Sequence, residues 1–159
     1  MLSNGNGKAH GKIVVAYPHG GSVRHCFMAS MLAFREYDLA HKRRLAAVIH
    51  EQGLYVAYMR NKLVKKFLKT PVECEWLMMI DTDQQFDPHI PYQLVESAEE
   101  AGVQVMTALY FGILVDTVPM WWTRNAEGDM TTLADIKLDE IHELAGFGCG
   151  MFVVHREVL

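Results

Sequence analysis

"WLMMIDTDQQFDP", residues 76–88, passes from five apolar residues straight into a run with three aspartates in seven positions. The apolar half shows no polar alternation, which suits a strand covered on both faces at the centre of a sheet. Its end at Asp81 marks the carboxyl end of that strand. In open α/β sheets ligands bind beyond such strand ends, where loops converge and helix N-termini point free N–H groups outward. The stretch therefore predicts a sheet between helix layers and also the rim where the chemistry belongs.

Upstream, "KIVVAY" (12–17) is a β-branched run stopped by the turn signal "PHGG", with Ser22 placed to cap a helix. Val23, Phe27, Met31 and Phe34 then recur at helical spacing to about Asp38. "LAAVIH" (45–50) predicts a second strand, followed after "EQG" by a helix with the stripe Leu54, Tyr58, Val64 and Leu68, ended by "TP" at 70–71. Downstream, Pro91 sits at a helix start and Gly102 at its stop. "VQVMTALYF" (103–111) reads as a fourth strand, 118–124 as extended chain and 125–129 as a turn. Residues 145–159 read as a glycine-rich approach to a last strand and the start of a helix. Such alternation predicts a three-layer α/β/α domain with a mostly parallel mixed sheet, the later strands adding an antiparallel portion.

A chain of 159 residues, 50% hydrophobic, is sufficient for one domain with a real core, read as 12–159 behind a polar, Gly-rich, disordered tail over 1–11. The formal charge of -4 gives no general reason to expect a nucleic-acid or anionic-membrane partner, and the basic runs at 41–44 and 62–69 read as solvated faces. Cys26, Cys74 and Cys149 are far apart and odd in number, which suggests neither a disulfide framework nor a zinc knuckle. The start has no apolar signal core, and the longest apolar run, 103–115, is too short to span a bilayer. The expectation is a soluble, cytoplasmic protein with no transmembrane segment.

Asp81 and Asp83 face the same side of an extended chain, with Cα atoms about 6.6 Å apart. Carboxylates held that close repel unless a cation lies between them or one is protonated; a divalent ion is the natural solution, and Mg²⁺ or Mn²⁺ suits such hard oxygen donors better than zinc. The bland alternative makes both loop or cap residues, as Asp87 before Pro88 is a turn residue. The eight histidines show no H-E-x-x-H or similar spacing, which disfavours zinc catalysis. A haloacid-dehalogenase-type D-x-D is also disfavoured, because here it follows the third strand and Gln85 stands at its fifth position.

Four segments together, "IVVAYPHGG" (13–21), "AYMRNKLVKKFL" (57–68), "WLMMIDTDQQFDP" (76–88) and "AGFGCGMFVVHREVL" (145–159), resemble the GT-A fold glycosyltransferases of the broad family 2 type. The resemblance covers nearly the whole chain in the right order, with the D-x-D and Arg-Asn segments the most specific. It implies a metal-dependent transfer of a sugar from a nucleotide-diphospho-sugar, a UDP-sugar first, to a hydroxyl of a protein or glycan. It implies that Pro18, His19 and Gly20 form the turn that contacts the nucleoside, that Glu51 contacts base or ribose, and that Arg60 lies near the nucleotide. Asp81 would reach ribose or metal, and Asp83 would be the direct ligand of Mn²⁺ or Mg²⁺. Gly146 and Gly148 would lie on the acceptor side.

Each of these positions also has a structural reading. Arg60 could be a surface ion-pair residue, Glu51 a helix cap, and the alternating glycines a bulge before the last strand. Trp121 and Trp122 should face opposite ways in extended chain, the outward one able to stack on a sugar and Trp121 a candidate acceptor contact. The family's downstream general base has no assignable counterpart before Leu159; Asp116, Asp135, Asp139, Glu140 and Glu143 are the acidic candidates, and inverting or retaining chemistry is left open. A non-catalytic sugar-nucleotide-binding module is one alternative. The other is a nucleotidyltransferase of similar core, for which "YPHGGSVR" supplies the glycines and Arg24 only loosely.

Overall fold

The computed structural model describes residues 11–113, 117–133, 136–137 and 140–159. The chain runs β1 (Lys12–His19), α1 (His25–Ala40), β2 (Leu45–Gln52), α2 (Val56–Phe67), β3 (Cys74–Ile80), α3 (Ile90–Ala101) and β4 (Val105–Thr107). Short strands follow: β5 (Phe111–Ile113), β6 (Thr117–Pro119), β7 (Trp121–Arg124), β8 (Met130–Thr132), β9 (Gly146–Phe147) and β10 (Met151–His155), then a 3-10 turn at Arg156–Val158. The main sheet has the order β2-β1-β3-β10-β4; β1 is parallel to both β2 and β3, and β10 is antiparallel to β3 and β4. The mostly parallel mixed sheet expected from the sequence is present, with β3 at its centre.

Strand alternation explains why the β3 run is apolar throughout. Trp76, Met78 and Ile80 pack with Phe27 and Phe34 of α1 and Val95 and Ala98 of α3 on one face. Leu77 and Met79 pack with Leu63 and Phe67 of α2 on the other. Each fully buried side chain of this size contributes roughly 1.5–3 kcal/mol of transfer free energy. Pro91 fits the first turn of α3, where a missing N–H costs nothing, and Gly102 ends the helix in the left-handed conformation at φ 67°.

Several boundaries differ from the sequence expectation. β1 and β2 each run two residues longer, so Pro18 and His19 pair with Glu51 and Gln52 instead of forming a turn. Pro18 is tolerated because Gly53 N–H donates to His19 O, which turns His19 toward β2 and Pro18 toward the side where pairing with β3 has ended at Ala16 and Met79. The cap residue of α1 is Arg24, not Ser22. The stripe of α2 that faces the sheet is Met59, Leu63 and Phe67; of the expected stripe, Val64 is half-buried against the same cluster while Leu54, Tyr58 and Leu68 are exposed. The fourth strand is shorter than expected, Val105–Thr107, with Ala108 N–H still donating to Met151 O at 3.1 Å just beyond it.

Polar groups tie the helix layer to the end of the sheet opposite the rim. Asp38 accepts from the Leu45 N–H at 3.0 Å and from the Tyr92 hydroxyl, whose pKa burial and the Asp38 charge push far up. Buried Arg44 donates to Gly11 O at 2.9 Å and to Glu99 at 2.6 Å, so Gly11, counted with the tail in sequence, is itself buried. Arg156 ties the end of α2 to the start of β3, donating to the carbonyls of Phe67, Thr70 and Cys74 at 2.9–3.2 Å. No helix among the described residues is long and apolar enough to cross a membrane.

Candidate functional site

Beyond the carboxyl end of β3 lies a cleft of about 730 Å³, bordered by Asp81, Asp83, Arg60, Arg24, Tyr110 and Gly148 among others. The chain at 81–84 is fixed from three sides. Asp81 N–H donates to Gly150 O at 2.8 Å, Arg24 N–H to Thr82 O at 3.3 Å, and Gln84 N–H closes a turn onto Asp81 O at 3.2 Å. A little further on, Phe86 N–H donates to Ser30 Oγ of α1 at 3.0 Å.

Arg60 reaches the same spot from α2, one helical turn past its start. Its Nη2 donates to Asp81 Oδ1 at 2.6 Å and to Cys149 O at 3.3 Å, and its buried Nε has no partner among the described residues. Burial pushes the Asp81 carboxyl up, and the Arg60 hydrogen bond opposes that shift. Asp83 is exposed, and its Oδ1 accepts only from the neighbouring Gln84 amide at 3.1 Å. One carboxylate is thus held by a guanidinium while the other stands open to the cleft.

No group of three or more metal-ligating side chains occurs among the described residues. The pair Asp81 and Asp83 still fits Mg²⁺ or Mn²⁺ chemically, since such ions are commonly bound through one or two carboxylates, with waters and substrate phosphates completing the shell. Two arginines at the cleft, Arg60 and Arg24, suit phosphate oxygens.

Sequence reasoning missed Tyr110, hidden in what reads as a continuous strand. Its ring covers the glycine segment: a Cβ at Gly150 would lie 2.8 Å from the ring, and one at Gly148 would overlap the hydroxyl. Burial pushes the Tyr110 hydroxyl up, against the neighbouring Gly150 backbone. The glycines thus admit this tyrosine, a contact that spacing alone does not reveal. Gly148→Ala is expected to displace Tyr110 and cost roughly 1–3 kcal/mol of stability. Adding Tyr110→Phe should recover part of the loss in a denaturant-unfolding double-mutant cycle; strictly additive losses would show that the two do not touch.

The remaining candidates lie elsewhere. Glu51 sits inside β2, its carboxylate 2.8 Å from Lys66 Nζ and 3.7 Å from Lys62 Nζ, and these lysines hold its pKa down against partial burial. It is therefore an ion-pair residue of the β2–α2 contact, not a group turned into the cleft. His19 stands at the rim, where Gly21 N–H donates to its Nδ1 at 3.2 Å, which leaves Nε2 to donate to His50 Nδ1 at 3.1 Å. Pro18, His19 and Gly20 do not border the Asp81 cleft. Trp121 is the inward member of its pair, its Nε1 donating to Ala108 O at 3.3 Å. It lines a second cleft of about 770 Å³ between α3, β4 and residues 140–147, together with Glu140, His142 and Glu143. Gly146 pairs with Trp122 in the small β8-β7-β9 sheet, so only Gly148 of the acceptor-side residues reaches the Asp81 cleft. Asp116, Asp135 and Asp139 lie outside the described residues.

No protein-family model and no curated protein matches the chain. Among solved structures it is similar to A197 from STIV, with 20% identity and a TM-score of 0.59, over 92% of this chain and 65% of that one. It also matches a glycosyltransferase involved in the glycosylation of the major capsid of PBCV-1, with 13% identity and a TM-score of 0.46, over 92% of this chain and 61% of that one. The first likeness establishes a shared fold; the second is too distant to add to it. The chain spans just under two thirds of the length of both structures.

Proposed function

We propose that the protein is a glycosyltransferase that takes its sugar from a nucleotide-diphospho-sugar, in the first instance a UDP-sugar, with Mn²⁺ or Mg²⁺, and passes it to a hydroxyl of a protein or glycan. The observation that carries this reading is the convergence of Asp81, Asp83, Arg60 and Arg24 on one cleft at the carboxyl rim of a mostly parallel sheet. Asp83 and Asp81 would hold the divalent cation, which supplies positive charge to a diphosphate that gains negative charge as it leaves. Arg60 is held in place by Asp81 and presents its guanidinium to the same oxygens without reorganising. Tyr110 covers the glycine backbone and forms one wall of the cleft.

UDP release from a panel of UDP-sugars, with and without EDTA, tests the reading. Release above the buffer rate that EDTA abolishes is expected. Metal-dependent nucleotide binding without release or transfer on any donor would favour the non-catalytic binding module, and release of pyrophosphate from a nucleoside triphosphate would favour a nucleotidyltransferase.

A further inference from the structure

The two basic runs look alike in sequence but fare differently in the fold. At 41–44, Lys42 pairs with Glu96 at 2.9 Å, Arg44 with Glu99 at 2.6 Å, and Arg43 Nε donates to Leu39 O. On α2, Lys62 and Lys66 share the single carboxylate of Glu51, and Lys65 and Lys69 have no ion pair among the described residues. Residues 53–72 hold five Lys or Arg and no Asp or Glu, in a chain whose net charge is -4.

α2 buries Met59, Leu63 and Phe67, and at about 100° per residue its outward side carries Tyr58, Lys62 and Lys65, with Lys69 in the turn just past its end. Tyr58 is 62% exposed with Lys62 Nζ 4.8 Å above its ring. Just ahead of the helix, Leu54 and Tyr55 stand out at 91% and 77% exposure. Isolated exposed apolar residues need no explanation, but a leucine and two tyrosines grouped at the end of a basic helix face do.

We propose that this face of α2 docks the protein on an anionic lipid surface, with Leu54 and Tyr55 entering the headgroup layer and Lys62, Lys65 and Lys69 facing the lipid phosphates. Exposed tyrosine and leucine suit the headgroup layer, and the exposed lysines suit lipid phosphates. A nucleic-acid backbone would satisfy the lysines equally but would offer nothing to Leu54.

Co-sedimentation with phosphatidylcholine vesicles, with and without phosphatidylglycerol, tests this in the whole protein. Binding is expected only with phosphatidylglycerol, and weaker in high salt. The variant Lys65→Glu/Lys69→Glu should weaken it by about tenfold or more, and Leu54→Ser/Tyr55→Ser should weaken it several-fold. Because all four residues are exposed, melting temperatures should not move. Absence of binding to the anionic vesicles, retention of full binding by both variants, or tighter binding to RNA than to vesicles would overturn the proposal. The readout is partitioning, not transfer, so its failure is distinct from failure of the function proposed above.

Discussion

Asp83→Ala is expected to lower sugar transfer by about a hundredfold or more and to remove the Mn²⁺-dependent part of UDP binding, because several kcal/mol of leaving-group stabilisation depend on the cation it would hold. The melting temperature of the unliganded protein should move by no more than about a degree, since removal of an exposed side chain has a small stability effect. Asp83 is exposed and, among the described residues, accepts only one hydrogen bond, from Gln84, so little folded structure is lost with it. Asp81→Ala does not separate the effects so cleanly. It would strip Arg60 of its carboxylate when its Nε already lacks a partner among the described residues. Initial rates with a UDP-sugar, beside thermal melts of the same samples, check both halves. Undiminished transfer in Asp83→Ala would remove Asp83 from the site.

The second large effect concerns stability. Phe67→Ala should cost about 3–5 kcal/mol, the range for removing a buried phenylalanine. Phe67 is fully buried against Leu63, Leu77 and Met79, and its ring lies 4.6 Å from the Arg156 guanidinium carbon, which also collects the carbonyls at the end of α2. For a domain of this size the loss corresponds to a drop in melting temperature on the order of 10 °C. Leu54→Ala, at a residue the sequence places in the helix's apolar stripe with Tyr58, Val64 and Leu68, should leave the melting temperature almost unchanged. Equal losses from the two substitutions would mean that α2 is rotated relative to the sheet.

That contrast also shows where sequence reading stopped working. α2 carries apolar residues on two sides, and a period of 3.6 residues identifies stripes without saying which one faces the sheet. Leu54, Tyr58, Val64 and Leu68 form as regular a stripe in sequence as Met59, Leu63 and Phe67, yet of the first set only Val64 packs against the core. β3 was legible because both its faces are covered, so its apolar character needed no choice of side. Asp81 and Asp83 were legible from their place at its end, and Arg60 from the helix that follows β2. Pro18 and His19 were misplaced because strand pairing outlasted a proline whose missing N–H faces a finished edge. Glu51 could not be told from a cleft residue because its lysine partners lie on another element. Tyr110 depends on a close approach to Gly148 and Gly150, residues 38 and 40 positions away, and nothing local announces it.

Calorimetric titration of UDP into the protein, with Mn²⁺ and then with EDTA, is the most direct test of the Asp81 cleft. Binding in Mn²⁺ that falls by about tenfold or more in EDTA is the predicted result, because the two carboxylates repel the diphosphate unless a cation lies between them. The same affinity in both buffers, or no UDP binding in either, would contradict a metal-bridged nucleotide-diphosphate site at Asp81 and Asp83.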